Sequence, residues 1–330
     1  MKLQTVVQIP PAPWQISYDD RLLFLGSCFS DAISEQLAMR SFRLTANPFG
    51  TLYNPLSIAQ AFYTLACPKL VEYNGLWHSM AHHGSFSRPT KEETEQAVYG
   101  SIERMQEALR DASVIIVTFG SAWVYEWALT EQRERAMNLL SNIVANCHKM
   151  PESWFVRRRL TVEEIVAAWQ PLLSRYADKH WIFTVSPIRH VKDGLHENQL
   201  SKATLLMAIN RLIAQHAELC QHGGQNPVSA AVYFPSYEIV LDELRDYRFY
   251  ASDLVHLNET GVQYVYERFV ESFFSSGTRE EMDALYRYHL QSRHRLLHPE
   301  SDESRQFLQR LAARREQLLK RYPWIKDLCG

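Results

Sequence analysis

Two short stretches, far apart in the chain, hold residue types that could do chemistry together. Near the N-terminus, Leu25-Gly26-Ser27-Cys28-Phe29-Ser30 places a hydroxyl and a thiol on consecutive residues after a glycine. Late in the chain, Ser252-Asp253-Leu254-Val255-His256-Leu257 carries an Asp-x-x-His just ahead of a helical pattern. A thiol or hydroxyl becomes a nucleophile when an imidazole takes its proton, and a carboxylate on the other ring nitrogen fixes the tautomer. One loop can present both groups, so Asp253 and His256 against Cys28 or Ser27 would complete a set for acyl transfer. A lone Asp-x-x-His arises often by chance, and a free cysteine is usually a small packed residue. The order of the two stretches is what makes the pair informative.

The elements that must position these groups read as buried strands ending in turns. Arg21 to Gly26 is a near-continuous apolar run, which predicts a short strand buried on both faces. Gly26 permits a sharp turn, and Ser30 or Asp31 is expected to cap the helix begun by Ala32 and Ile33. A nucleophile at that turn meets the positive end of the helix dipole, so the Cys28 thiol is expected to be more acidic than a free one. Further buried strands are predicted over Val114–Gly120, Trp181–Val185 and Val228–Phe234. Helices are predicted over Leu56–Ala66, Lys91–Leu109, Thr161–Tyr176, Asn198–Leu219 and Glu259–Phe274, the third opened by a Thr161/Glu164 capping box.

Short apolar strands alternating with helices predict a parallel sheet covered on both faces, a three-layer α/β/α domain over residues 1–277. In such a sheet functional groups gather at the carboxyl ends of the strands. There stand Gly26-Ser27-Cys28, Gly120-Ser121-Ala122-Trp123 and Ser186-Pro187-Ile188-Arg189-His190, with Arg189 the better placed of that last turn for a role in the cleft. From about Thr278, Arg, Glu, Gln and Leu recur at helical spacing, so residues 278–330 read as a helical extension. That extension would pack on the domain or form a homodimer contact.

Composition narrows the function classes. With 330 residues, 46% hydrophobic, and a formal net charge of −2, nothing in the charge pattern favours nucleic acid or an anionic membrane. No apolar run approaches the ~20 residues that span a bilayer, and the N-terminus lacks a signal peptide's apolar core, so a cytoplasmic protein is expected. Five cysteines without Cys-x-x-Cys spacing indicate free thiols. No glycine-rich nucleotide motif is present, so no organic cofactor is expected. His78 and His82 have helical spacing, but Gly84 follows directly after His83, so they and His83 read as a polar loop and no metal is expected. Cys147 and His148 are adjacent and do not suit a second pair, while Ser201 and Lys202 read as caps of the long helix.

Leu25-Gly26-Ser27-Cys28-Phe29-Ser30 resembles the signature of the GSCFA family, with Ser30 where the motif has Ala. Asn47 to Pro55, Phe119 to Tyr125, Asn146 to Lys149, Ser186 to Asp193, Glu197 to Lys202 and Asp246 to Asn258 resemble it too, over roughly residues 20–275. The resemblance implies a relative of the SGNH/GDSL hydrolases, with their flavodoxin-like α/β/α sheet. It implies a hydrolase (an esterase) or acyltransferase acting on an acyl group of a small molecule or glycan. Cys28 then holds the nucleophile's place, with His256 as base and Asp253 as its orienter. The relatives' Gly-x-Asn-Asp turn falls at Gly120-Ser121-Ala122-Trp123, where no Asn stands. Oxyanion or substrate contacts are therefore expected from Asn47, Gly50, Gly120, Asn146, Arg189 and the backbone of Cys28. Two alternatives stand beside this one: Ser27 as nucleophile, and a catalytically silent protein that uses the same cleft to bind a ligand.

Overall fold

Leu22 to Leu25, Val114 to Val117 and Trp181 to Phe183 are almost wholly buried, and such runs have to be covered on both faces. The structure, a computed structural model, describes residues 4–128, 140, 142–222 and 230–327. In chain order the described elements begin with β1 (Arg21–Gly26), α1 (Cys28–Ala38), β2 (Arg43–Ala46) and α2 (Pro55–Tyr63). A hairpin β3 (Leu70–Tyr73) and β4 (Leu76–Ser79), α3 (Lys91–Asp111) and β5 (Val114–Phe119) come next. Then follow β6 (Trp123–Trp127), β7 (Ile143–Val144), β8 (Phe155–Arg159), α4 (Val162–Arg175) and β9 (His180–Val185). The chain continues through α5 (Leu195–His222), β10 (Ala231–Phe234), α6 (Glu259–Phe273), α7 (Ser276–Ser292) and α8 (Asp302–Arg321).

Five strands form one parallel sheet in the order β10-β9-β5-β1-β2. Numbered by their sequence order within the sheet, that is 2-1-3-4-5, the flavodoxin-like arrangement, whose strand order reverses between the first and third strands. Side chains alternate between faces along each strand. Leu23, Leu25, Ile115 and Val117 pack with α2 to α5, and Leu22, Phe24, Val114 and Ile116 pack with α1 and α6. The result is the expected three-layer α/β/α fold. Its register sets Gly26 opposite Thr118 and Phe119 opposite Val185, so the turns after β1, β5 and β9 lie side by side.

Met282, Leu285, Tyr288, Leu318, Tyr322 and Ile325 belong to the same apolar cluster as Phe24. The C-terminal helices therefore pack on the domain. Ile16 pairs with Phe274 and tethers the N-terminal segment, its N–H donating to Phe273 at 2.8 Å. Three additions were not expected: strand β2 at the sheet edge, the β3–β4 hairpin, and an antiparallel β7-β6-β8 sheet. Met80, Val144, Met150 and Phe155 give these extra strands a small core of their own. Val228 and Ser229, at the start of the fourth expected strand, lie outside the described residues. No helix among the described residues is long and apolar enough to cross a membrane.

The turn after β1 is tighter than the sequence suggests. Helix α1 starts at Cys28, with Ser27 at the N-cap position making no side-chain cap bond, so neither Ser30 nor Asp31 caps it. Gly26 explains this. Its φ of +140° turns the chain at once, and a Cβ there would overlap the Thr118 carbonyl of the neighbouring strand. Gly26→Ala is expected to cost more than about 3 kcal/mol, combining backbone strain with a clash against backbone. Urea unfolding measures it, and a loss below about 1 kcal/mol would show that the turn can relax.

Candidate active site

The turn that follows β1 puts Cys28 at the first helical position, half-buried, with its own N–H and that of Phe29 directed at the sulfur. Helix N–H groups at that position have no intrahelical partner and favour negative charge. Burial works against them. Desolvation first, then the Asp31 carboxylate, push the thiol up, while the two N–H groups and Lys202 pull it down. The balance lies above an ordinary thiol. The expectation of a thiol acidified by the helix terminus and His256 is thus corrected: the helix terminus acts as expected, but desolvation outweighs it.

Ser27 is 2% exposed, and its Oγ is buried without a hydrogen-bond partner among the described residues. It stands against Gly120, where an added Cβ would come within 3.4 Å of the Ser27 Cβ. Of the two candidate nucleophiles, only Cys28 keeps appreciable exposure.

His256 and Asp253 sit on the loop that leads into α6. The Asp253 Oδ2 accepts from the His256 Nδ1 at 2.6 Å, and its Oδ1 accepts the N–H groups of Val255 and His256 at 2.9 and 3.0 Å. These bonds hold the Asp253 carboxyl down at about 2, the His256 contact contributing most. The carboxylate is therefore ionised at every working pH and keeps a proton on Nδ1, leaving Nε2 as the free nitrogen. Asn258 anchors the loop, capping α6 through Gly261 (3.0 Å) and donating to the Arg248 carbonyl (2.7 Å). Arg189 holds the loop from the other side. Its Nη2 donates to the Leu254 carbonyl, and its guanidinium lies 4.8 Å from the Tyr250 ring.

Cys28, Ser27, Asn54, Arg189 and His256 line one cleft of about 380 Å³ at the carboxyl edge of the sheet. It lies at the reversal of strand order between β1 and β5, where open α/β sheets bind ligands. No hydrogen bond joins Cys28 to His256 among the described residues, although both line the cleft. A second chamber of about 680 Å³ adjoins it, sharing Tyr53, Tyr125, Arg157 and Lys192. Arg157 forms the wall between them, stacked 4.3 Å over the Trp123 ring and paired with Asp193 at 2.6 Å. His190 also faces the cleft, lowered to about 4 mainly by burial and so neutral in use.

Several residues expected to contact an oxyanion or substrate are otherwise engaged. Asn47 accepts from the Gly26 N–H at 2.8 Å and donates to Asp31 at 2.7 Å, bracing the turn from below. The Gly50 N–H donates to the Asn47 carbonyl at 2.7 Å. Neither of these residues lines the cleft. The N–H groups of Gly120 and Ser121 both donate to the Tyr53 carbonyl, at 2.8 and 2.9 Å. Asn146 lines the second chamber and accepts from the His148 N–H at 2.8 Å. Arg189 borders the cleft, but its guanidinium serves the histidine loop.

Asn54, which sequence reasoning did not single out, fits better. It caps α2 by accepting from Ser57 N at 2.8 Å and donating to the Ser57 Oγ at 2.9 Å. One amide hydrogen remains, and the residue lines the cleft. Its sequence signal was an Asn-Pro pair, which reads as part of an ordered loop.

Ser201 and Lys202 do not open or cap the long helix as expected, because α5 already begins at Leu195 and they lie within it. The Ser201 Oγ accepts from Ala122 N at 2.8 Å, and the Lys202 Nζ donates to the carbonyls of Gly120 and Ser186, both at 2.7 Å. Lys202 is 1% exposed, and burial lowers it to about 7. The histidines near residue 80 do not form a polar loop at the cleft: His78 lies on β4, His82 is buried, none of the three lines the cleft, and each has a partner within the fold. His82 bonds the hydroxyls of Ser79 and Ser101, both at 2.7 Å, and stacks on Phe49, while His78 bonds Ser87 at 2.7 Å. His83 bonds the Ser85 hydroxyl at 3.1 Å, and His148 bonds the Ser79 carbonyl at 3.0 Å.

The model of the GSCFA family matches residues 21–269. That span begins with β1 and ends inside α6, so it takes in both the Gly26-Ser27-Cys28 turn and the Asp-x-x-His loop. No curated protein and no solved structure matches the chain.

Proposed function

The chain belongs to the GSCFA family, and from that premise we propose an SGNH-like hydrolase or acyltransferase that works on an ester or related acyl group of a small molecule or glycan. The observation that carries this reading is one cleft shared by a thiol at a helix N-terminus and an Asp-held imidazole. The Cys28 Sγ attacks the acyl carbon as the His256 Nε2 takes the thiol proton. His256 then returns that proton to the departing oxygen, leaving an acyl thioester on Cys28. Water or an acceptor hydroxyl attacks the thioester, again losing its proton to Nε2, and the thiol is restored. Asp253 keeps the ring in the required tautomer throughout. The Cys28 N–H and the remaining amide hydrogen of Asn54 are the donors for the oxyanion. The second chamber, with the faces of Tyr125 and Tyr53 in its wall, has room for the rest of the substrate.

The direct test is a panel of activated acyl esters of increasing chain length, followed by rapid mixing. One equivalent of leaving group should appear in a burst before the steady state, since the thioester forms before it is resolved. Absence of both burst and turnover across the panel would remove the reading. A second reading, a ligand-binding protein built on the same cleft, is favoured by the engaged amides of Gly50 and Gly120 and by the raised thiol. Calorimetric binding of the same esters without turnover would select it.

Arg189→Ala tests the loop independently of the nucleophile. Without its bond to the Leu254 carbonyl, the loop loses its tie to the turn after β9 and keeps the bonds made by Asp253, by Asn258 and by the Ala251 N–H to the His256 carbonyl. kcat is expected to fall by about 10- to 100-fold with little change in Tm, the cost of displacing a proton-transfer group by about an ångström. An unchanged kcat would show that the loop needs no support from Arg189.

A further inference from the structure

Lys202 is a buried cation at this edge that the scheme above leaves unused. A lysine that is 1% exposed has lost the hydration of its charge, and such a residue persists only where the fold compensates it. Part of the compensation is visible in the carbonyls of Gly120 and Ser186, each 2.7 Å from Nζ. These belong to the turn after β5, next to the Cys28 turn, and to the turn after β9, one strand further along, and the ammonium does not itself line the cleft. An ammonium has three donors, and two carbonyls engage two of them.

We propose that Lys202 is the counter-charge to Cys28, a positioning residue whose buried ammonium stabilises the negative charge that the sulfur acquires on attack. The electrostatics of the two groups are reciprocal. Lys202 is the one cation among the leading influences on the Cys28 thiol, and Cys28 raises Lys202 against its desolvation. The other groups around the pair do not provide that charge. Asp31, on the next turn of α1, opposes an anion at Cys28 and is bonded to Asn47 and Thr51. His190, from the loop after β9, is neutral, and Lys202 is one of the groups that keeps it so. Tyr237, after β10, turns its ring towards Nζ at 5.7 Å, and Tyr53 faces Cys28 with its phenol held protonated by burial. A thiolate at Cys28 with ammonium at Lys202 adds no net charge to the buried edge. A thiolate alone would.

The inference rests on Cys28 as nucleophile only for its use in turnover. Its test reads ionisation, so the two can fail separately. The first arm follows alkylation of Cys28 by iodoacetamide against pH, with peptide mapping, in the wild type and in Lys202→Met. Below about pH 7, where wild-type Lys202 is charged, the variant should react about tenfold more slowly, an effect of one unit in thiol pKa. As pH rises through that value the wild-type lysine loses its charge, and the gap should close. A merely structural role would slow alkylation by the same factor at every pH, and that result overturns the proposal.

The second arm does not depend on the variant's folding, because Lys202 is left in place. Lysine labelled with ¹³C at Cε is titrated by NMR in Cys28→Asp and in the isosteric Cys28→Asn. The Lys202 resonance should titrate at least one pH unit higher in the Asp protein. Coincident curves would mean that Lys202 does not sense charge at position 28, and the proposal would fall.

Discussion

Cys28→Ala is expected to lower kcat/KM for an activated acyl ester by about 10⁴-fold or more while leaving a folded protein. The loss is large because the residue carries the bond-forming atom, and neither the cleft nor the histidine loop can replace it. The stability cost should be small, about 1 kcal/mol, since the side chain is half-buried and shrinks by a single sulfur. Ser27→Ala is the paired control. The Ser27 hydroxyl is sealed in the wall, so its removal should leave a measurable fraction of activity. A protein inactivated by Ser27→Ala but not by Cys28→Ala would reverse the assignment. The raised thiol adds a pH signature. Alkylation of Cys28 should still be accelerating at a pH where an ordinary thiol has levelled off, because deprotonation comes later. A plateau below the ordinary thiol range, about 8.5, would contradict the balance between burial and the helix terminus.

The second large effect belongs to the Asp253–His256 pair. His256→Ala removes the group that moves the proton and should depress kcat by about 10²- to 10⁴-fold, the usual worth of general acid–base catalysis. Both side chains are about half exposed, so neither change leaves a cavity in the core. Asp253→Asn is the more informative of the two. One amide orientation keeps an oxygen for the N–H groups of Val255 and His256, preserving the loop, but then turns an N–H towards Nδ1. The ring must place its proton on Nε2, the nitrogen that has to accept one. kcat should fall towards that of His256→Ala with the circular dichroism unchanged. Wild-type kcat in both variants would end the role assigned to this loop.

The central sheet and the chemistry at its edge were legible to different degrees. β1, β5 and β9 are short apolar runs closed by Gly or Ser-Pro, and that pattern carries no ambiguity once helices alternate with it. β2 was not legible. Its Arg43-Leu44-Thr45-Ala46 is short and only half-buried, and the β6–β8 strands draw their stability from a local cluster around Met80 and Val144. Cys28, His256 and Asp253 could be proposed from sequence because their chemistry is tied to residue type and to position after a strand or before a helix. The residues around them could not. Asn54 reads as part of an ordered loop and Lys202 as a cap in sequence, and only the register of β1, β5 and β9 brings the Gly120 and Ser186 carbonyls together around Lys202, next to the Cys28 turn. Asn47 shows the reverse. An Asn in a polar loop has the right chemistry for an oxyanion, yet both ends of its amide are committed to Gly26 and Asp31. The acidity of Cys28 was misjudged for a related reason, since a helix terminus is visible in sequence and the desolvation that opposes it is not.

The central claim is that the acyl group travels on the Cys28 sulfur. The most direct measurement is acid quenching during turnover of an activated acyl ester, followed by tandem mass spectrometry of the peptide that contains both Ser27 and Cys28. One acyl mass per chain is expected, localised to Cys28 by fragmentation and released by neutral hydroxylamine, as a thioester is and a serine ester is not. A hydroxylamine-stable acyl group on Ser27, or an unmodified peptide in a protein that is turning over, would contradict it.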